Sequence, residues 1–130
     1  MILLDTHIWI WWVQKDSRLS GHQIEIILKN EKVGLGVSVF SVWEVSKLIE
    51  RKKITFTKPV EQWLNVALHY PGIMLLDFTP LIAIESTQLP GKFHKDPADQ
   101  IIVATSRLLD IPVLTSDQRI LNYPHVKLVR

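Results

Sequence analysis

The chain has 130 residues, 47% hydrophobic and 22% charged, the proportions of one ordinary globular domain rather than a disordered or fibrous chain. With no cysteine it can form neither a disulfide nor a thiolate zinc site, and a formal net charge of +2 is too small to argue by itself for a nucleic-acid partner. Its longest apolar runs fall well short of a membrane span of roughly 20 residues, and the start Met1-Ile2-Leu3-Leu4-Asp5 lacks the basic opening of a signal peptide, so a cytoplasmic protein with no membrane association is expected.

In chain order, Ile2-Leu3-Leu4 reads as a short strand buried on both faces of a parallel sheet. Thr6 to Gln14 reads as a helix that is apolar nearly all round, carrying Trp9, Trp11 and Trp12. Tryptophan is enriched at interfaces, so this helix is expected to contribute to one unless all three rings are buried within the monomer. An amphipathic helix follows over 20–30, then a strand over 33–39 with alternation through Leu35, Val37 and Val39. Ser41 is expected to cap a helix running to about Arg51. A further helix is expected over 59–69, ended by Tyr70-Pro71-Gly72, then a strand over 73–78 and a helix over 80–88. A helix over 97–109, a strand over 112–115, a short turn at 119–121 and an edge strand over 126–129 complete the pattern. Strands alternating with helices imply βαβ units around a parallel sheet, with no linker long enough to divide residues 1–130 into two domains.

Four acids sit where apolar runs give way to polar residues: Asp5 after the first strand, Asp117 after the last buried one, Glu44 and Asp99 near helix starts. In a parallel α/β domain, strand ends and the next helix starts share one rim, where ligands bind. Each acid also has a structural reason to be there. Asp5 can cap the next helix, and Asp117 suits a turn. Glu44 completes a capping box with Ser41, and Asp99 lies in a first turn that favours acids. Asp96, just before Pro97, reads as an N-cap rather than a fifth member of the set. The strand-end pair, Asp5 and Asp117, carries the most independent weight. Gathered together, four carboxylates need a cation, and oxygen-only donors suit Mg²⁺ or Mn²⁺. Thr115 and Ser116 add hydroxyls that can orient a carboxylate. Basic residues flank both helix-borne acids, at Lys47, Arg51, Lys52 and Lys53 and at Lys92, His94 and Lys95. The five histidines form no pair at metal-ligand spacing and stay unassigned.

These segments, Leu3-Leu4-Asp5-Thr6-His7, Ser41-Val42-Trp43-Glu44-Val45, His94-Lys95-Asp96-Pro97-Ala98-Asp99-Gln100 and Leu114-Thr115-Ser116-Asp117, resemble the PIN-domain family, and within it the VapC-type toxins of bacterial toxin–antitoxin pairs. The resemblance implies a three-layer α/β/α domain with a central parallel sheet. It implies a Mg²⁺- or Mn²⁺-dependent endoribonuclease that hydrolyses RNA by metal-activated water, with Asp5, Glu44, Asp99 and Asp117 around the metal. Thr6, Thr115 and Ser116 would support the carboxylates or the phosphate. It also implies a homodimer and a cognate antitoxin that blocks the site. Gln100 departs from the pattern, because an Arg is common there, and this puts a cationic contact at that place in doubt. Two rivals stand beside this reading. A haloacid-dehalogenase-like phosphatase would carry a second Asp where this chain has His7. A non-catalytic PIN-like module that binds RNA or protein would be expected to have lost acids.

Overall fold

The computed structural model describes residues 1–130. In chain order the elements are β1 (Ile2–Leu4), α1 (Thr6–Gln14), α2 (Gly21–Asn30), β2 (Leu35–Ser38), α3 (Val39–Glu50) and α4 (Val60–Leu68). They continue with β3 (Ile73–Leu76), α5 (Pro80–Ser86), α6 (Pro97–Leu109), β4 (Val113–Leu114) and α7 (Gln118–Leu121). The four strands form one sheet in the order β3-β2-β1-β4, every pair parallel. Residues 126–129, expected as an edge strand, add only a single bridge from Leu128 to Val113.

Alternation along the strands separates the layers. Ile2 and Leu4 of β1, with Leu35 and Val37 of β2, face Trp9 of α1, Ile27 of α2, Val45 of α3 and Trp63 of α4. Leu3 points the other way, against Ile102 of α6 and Val113 of β4. Helices α5 and α7 pack against α6 on that second face, through Ile82 with Ala104 and Ile120 with Val103. The result is the three-layer α/β/α arrangement. Each fully buried Leu or Ile contributes about 1.5–3 kcal/mol relative to exposure. Burial on both faces therefore makes even a three-residue strand such as β1 stable.

Helix α3 starts earlier than the sequence predicts. Its N-cap is Ser38, whose hydroxyl accepts from the Phe40 amide at 3.0 Å. Ser41 is therefore inside the helix, and the predicted capping box with Glu44 does not form. The Ser41 hydroxyl turns inward and bonds the Thr6 hydroxyl at 2.7 Å, joining α3 to α1. The capping box that does form is at α2, where Ser20 and Gln23 bond reciprocally. At the start of β3, Gly72 has φ +82°, and a Cβ there would lie 2.6 Å from the Glu31 carbonyl oxygen. Gly72→Ala is therefore expected to cost about 2 kcal/mol in urea unfolding. A loss below about 0.5 kcal/mol would show that the turn relaxes freely.

Candidate metal centre

The strand order explains where a site can form. From β1 the chain steps to β2 and then β3 on one side, and later returns to β4 on the other side of β1. Crossovers diverge at β1 and β4, which opens a crevice outside their carboxyl ends. Leu4 is in register with Leu114, so Asp5 emerges level with Thr115. The crevice is a cleft of about 220 Å³ lined by Asp5, Glu44, Asp96, Asp99 and Asp117 together with His7, Trp11, Ser116 and Arg119.

Asp5 is almost fully buried and serves two structural purposes. One carboxylate oxygen accepts from the Thr6 amide at 2.8 Å, capping α1, and the other accepts from the Thr115 hydroxyl at 2.7 Å. Burial raises its pKa, an effect opposed by the Thr115 bond and by His7 nearby. Glu44 lies in the second turn of α3 and caps nothing. Its pKa is also raised, by burial first and by the Asp5 charge, against relief from the Thr6 hydroxyl. Asp99 is buried in the first turn of α6. Burial, then the charges of Asp5, Asp117 and Asp96, push it from an ordinary 3.8 up to about 8. Asp117 caps α7, accepting from the Arg119 amide at 2.8 Å. Burial alone would raise it, but hydrogen bonds from the Arg119 side chain and amide outweigh burial and hold its carboxyl below the usual range.

The structural excuses are thus distributed differently from the sequence-based expectation. Asp5 and Asp117 are both helix caps, whereas Glu44, assigned to a capping box from the sequence, has no capping duty. Asp96 caps α6 through the Ala98 amide at 2.9 Å and also lines the cleft. The Ser116 hydroxyl accepts from Gln23 at 2.8 Å, tying the start of α2 to the loop after β4. Two participants were not assigned from the sequence. Arg119 reaches across from α7 to Asp99 and Asp117, 3.3 Å from each. It places a guanidinium beside the third acid, where Gln100 has none. Gln100 instead donates to the His94 carbonyl at 3.1 Å. His94 Nδ1 accepts from the Asp96 amide at 3.3 Å, which leaves the proton of the neutral ring on Nε2. That nitrogen is buried 2.9 Å from Asp99, yet is not aligned for a hydrogen bond with any partner. The Arg119 contact has no short-range sequence signal, since Arg119 is 20 residues from Asp99, whereas His94 stands only five residues before Asp99, in the basic cluster that flanks it.

The tryptophan helix divides by ring. Trp9 is core and donates to the Ala67 carbonyl at 3.3 Å. Trp11 is half-buried at the cleft with Arg18 stacked 5.2 Å from its ring, and Trp12 is half-buried with an unbonded Nε1.

As the side chains stand, no three acidic or histidine groups converge on one ligation point. The carboxylates are held instead by Thr115, Thr6, Arg119 and the helix amides. The donor set nonetheless fits a hard divalent cation. It is oxygen-rich and cysteine-free, and its acids outnumber the basic side chains His7 and Arg119 in the cleft. Burial first, and neighbouring carboxylates second, raise Asp5, Glu44 and Asp99, so a cation bound among them would favour their ionised forms.

Fold and cleft together define an α/β domain whose acidic site lies at its topological switch point. The PIN domain family matches residues 2–126, and the chain belongs to that family. Within it, the chain is similar to a VapC-type protein, Ribonuclease VapC22 of Mycobacterium tuberculosis, at 31% identity over 124 residues, 95% of this chain and 92% of that one. Among solved structures it superimposes on DNA-bound VapBC from Salmonella typhimurium with a TM-score of 0.70 at 20% identity, covering 99% of this chain and 98% of that one. A toxin–antitoxin complex from Klebsiella pneumoniae gives a TM-score of 0.66 at 19% identity, covering 100% and 97%. No helix in the chain is long and apolar enough to cross a membrane.

Proposed function

We propose that this chain is a metal-dependent endoribonuclease, the toxin of a toxin–antitoxin pair, acting as a single domain on RNA in the cytoplasm. One observation carries the reading: Asp5, Glu44, Asp99 and Asp117 line one cleft at the switch point of a PIN domain. The 31% identity to a protein named as a ribonuclease selects RNA phosphodiesters as the substrate class.

Asp5, Glu44 and Asp99 are the residues to hold Mg²⁺ or Mn²⁺, with Asp117 supporting the same site. The chemistry such a cation would supply there is a more acidic bound water and stabilisation of the charge that builds on phosphate and leaving oxygen. The chain's own residues orient the rest. Thr115 fixes the Asp5 carboxylate by its 2.7 Å bond, so that residue is preorganised rather than free to rotate. The Thr6–Ser41 hydroxyl pair holds α1 against α3, and hence Asp5 near Glu44. Arg119 neutralises part of the charge on Asp99 and Asp117 and is positioned to meet a phosphate oxygen. His7, exposed at the cleft, is a second group within reach of substrate. Position 7 therefore offers no second aspartate for phosphatase chemistry, and with all four acids present a purely binding role is not favoured. The test is cleavage of RNA by purified protein with Mg²⁺ or Mn²⁺, compared with Asp5→Asn. Equal cutting by both would sink the mechanism.

The partner set follows from the same reading: a cognate antitoxin that blocks the cleft, and a second copy of the chain. Leu81 and Ile84 support the homodimer. They share one face of α5 and are 69% and 53% exposed. Leu81→Asp is expected to convert a dimer to monomers in light scattering at micromolar concentration. An unchanged mass would move the interface elsewhere.

A further inference from the structure

Beside the acidic cleft lies a second groove of about 480 Å³, between α3 and the start of α6. Its size falls within the range of small-ligand sites, about 300–1,000 Å³. The two are continuous, because Glu44, His7 and Asp96 line both. Their linings differ. Five carboxylates dominate the cleft, whereas the groove has Glu44 and Asp96 where it joins the cleft and adds Trp43, Phe40, Lys47 and Arg51.

Trp43 is 51% exposed, too open to be a core residue. It is nevertheless braced. Its ring packs on Phe40 at 5.1 Å and 31°, and Phe40 in turn meets the Phe78 ring edge-on at 5.8 Å and 86°. The cationic head of Lys47, one turn along α3, lies 5.8 Å from the Trp43 ring. Lys47 is paired only with exposed Glu50, and Arg51, one turn further, forms no ion pair. A rigid aromatic face with two cations stepping away from it is the arrangement that binds single-stranded nucleic acid: stacking on the ring, phosphate on the basic groups.

We propose that this groove is a nucleotide subsite, in which an unpaired base of the RNA next to the scissile phosphate stacks on Trp43 while Lys47 and Arg51 take the adjoining backbone phosphate. The inference rests on the ribonuclease reading above and adds to it how the substrate is held. RNA is favoured over a protein segment because the groove runs directly into the acid cleft, and because Lys47 and Arg51 complement phosphate where the acids of the cleft repel it. An unpaired base is required, since bases inside a duplex have no free face. The subsite then makes the enzyme select loops and single strands.

The test uses the full chain and a fluorescent single-stranded RNA oligonucleotide that wild type cleaves. Trp43→Ala is expected to raise KM about 5- to 100-fold with kcat little changed, the range of one base–aromatic stack. Trp43→Phe should recover most of the loss. In the Asp5→Asn background, where cleavage is silent, Trp43→Ala should weaken RNA binding, read by anisotropy, by a similar factor. Unchanged KM and anisotropy would overturn the subsite. So would a Trp43→Ala protein that binds RNA normally but loses dimer mass or antitoxin binding, since the groove would then belong to that partner. If wild type cuts no RNA, the ribonuclease reading fails. The anisotropy arm still judges the groove in that case, and RNA bound equally with and without the Trp43→Ala substitution counts against it. Because Trp43 is exposed, thermal unfolding of both variants should stay near wild type.

Discussion

Replacing Asp5 by Asn is expected to lower metal-dependent RNA cleavage about 10²–10⁴-fold, equivalent to about 3–5 kcal/mol of lost transition-state stabilisation, with the fold retained. Asp5 stands at the carboxyl end of the central strand, buried, with both oxygens oriented by the Thr6 amide and the Thr115 hydroxyl. An Asn side chain keeps one oxygen to accept one of those bonds but removes the negative charge. The two contributions therefore separate. Stability should change little, or rise, because burial and like-charge neighbours already penalise the carboxylate. Cleavage and Mn²⁺ binding should both fall. Mn²⁺ affinity unchanged beside a lost activity would assign Asp5 a role other than cation binding. Activity within tenfold of wild type would remove it from the centre.

Asp99→Asn is expected to be more stable than wild type and inactive. The folded protein holds the Asp99 proton up to about pH 8, whereas the unfolded chain releases it near 3.8. Between those values the folded state binds the extra proton, so stability of the chelated protein falls as pH rises, by about 1.4 kcal/mol per pH unit for one proton. Below the unfolded value both states are protonated and the penalty disappears. Glu44 and Asp5, also raised, act in the same direction, and Asp117, lowered, acts weakly against them. Solvent at the open cleft screens part of this, so at pH 7.5 the amide should gain about 2–4 kcal/mol, or roughly 6–12 °C in Tm for a chain of this size, and should flatten the pH slope. The substituted amide keeps an oxygen for Arg119, so the loop after β4 stays tied. Adding Mn²⁺ should flatten the wild-type slope too, because a bound cation favours the ionised acids. A wild-type Tm in EDTA that is level from pH 5 to 8 would show that the carboxylates do not strain one another.

Both predictions describe a site that sacrifices stability for charge, and this bears on how much of it can be read from the chain alone. The strands β1, β2 and β4 and helices α1 and α6 follow from local pattern: a continuous apolar run, alternation, and Asp96-Pro97 at a helix start. Helix α6 is expected and found over 97–109. Boundaries fail where tertiary packing competes with local signals. Ser41 and Glu44 have the spacing of a capping box, but β2 ends earlier, Ser38 takes the cap, and Ser41 finds Thr6 instead. The last expected strand shrinks to one bridge.

What the amino-acid sequence determines by itself is the alternation of strand and helix and the placing of acids at element ends. From these a parallel α/β domain with a carboxylate rim follows, because period and end chemistry are local properties. What only the tertiary structure decides is which groups meet. The strand order β3-β2-β1-β4 puts the crevice at β1 and β4. The same packing brings Arg119 to Asp99, orients His94, and leaves Trp43 open beside Glu44. Arg119 and Asp99 lie 20 residues apart, and even for near neighbours such as His94 and Asp99 the energies come from burial and charge at close range, which no local pattern encodes.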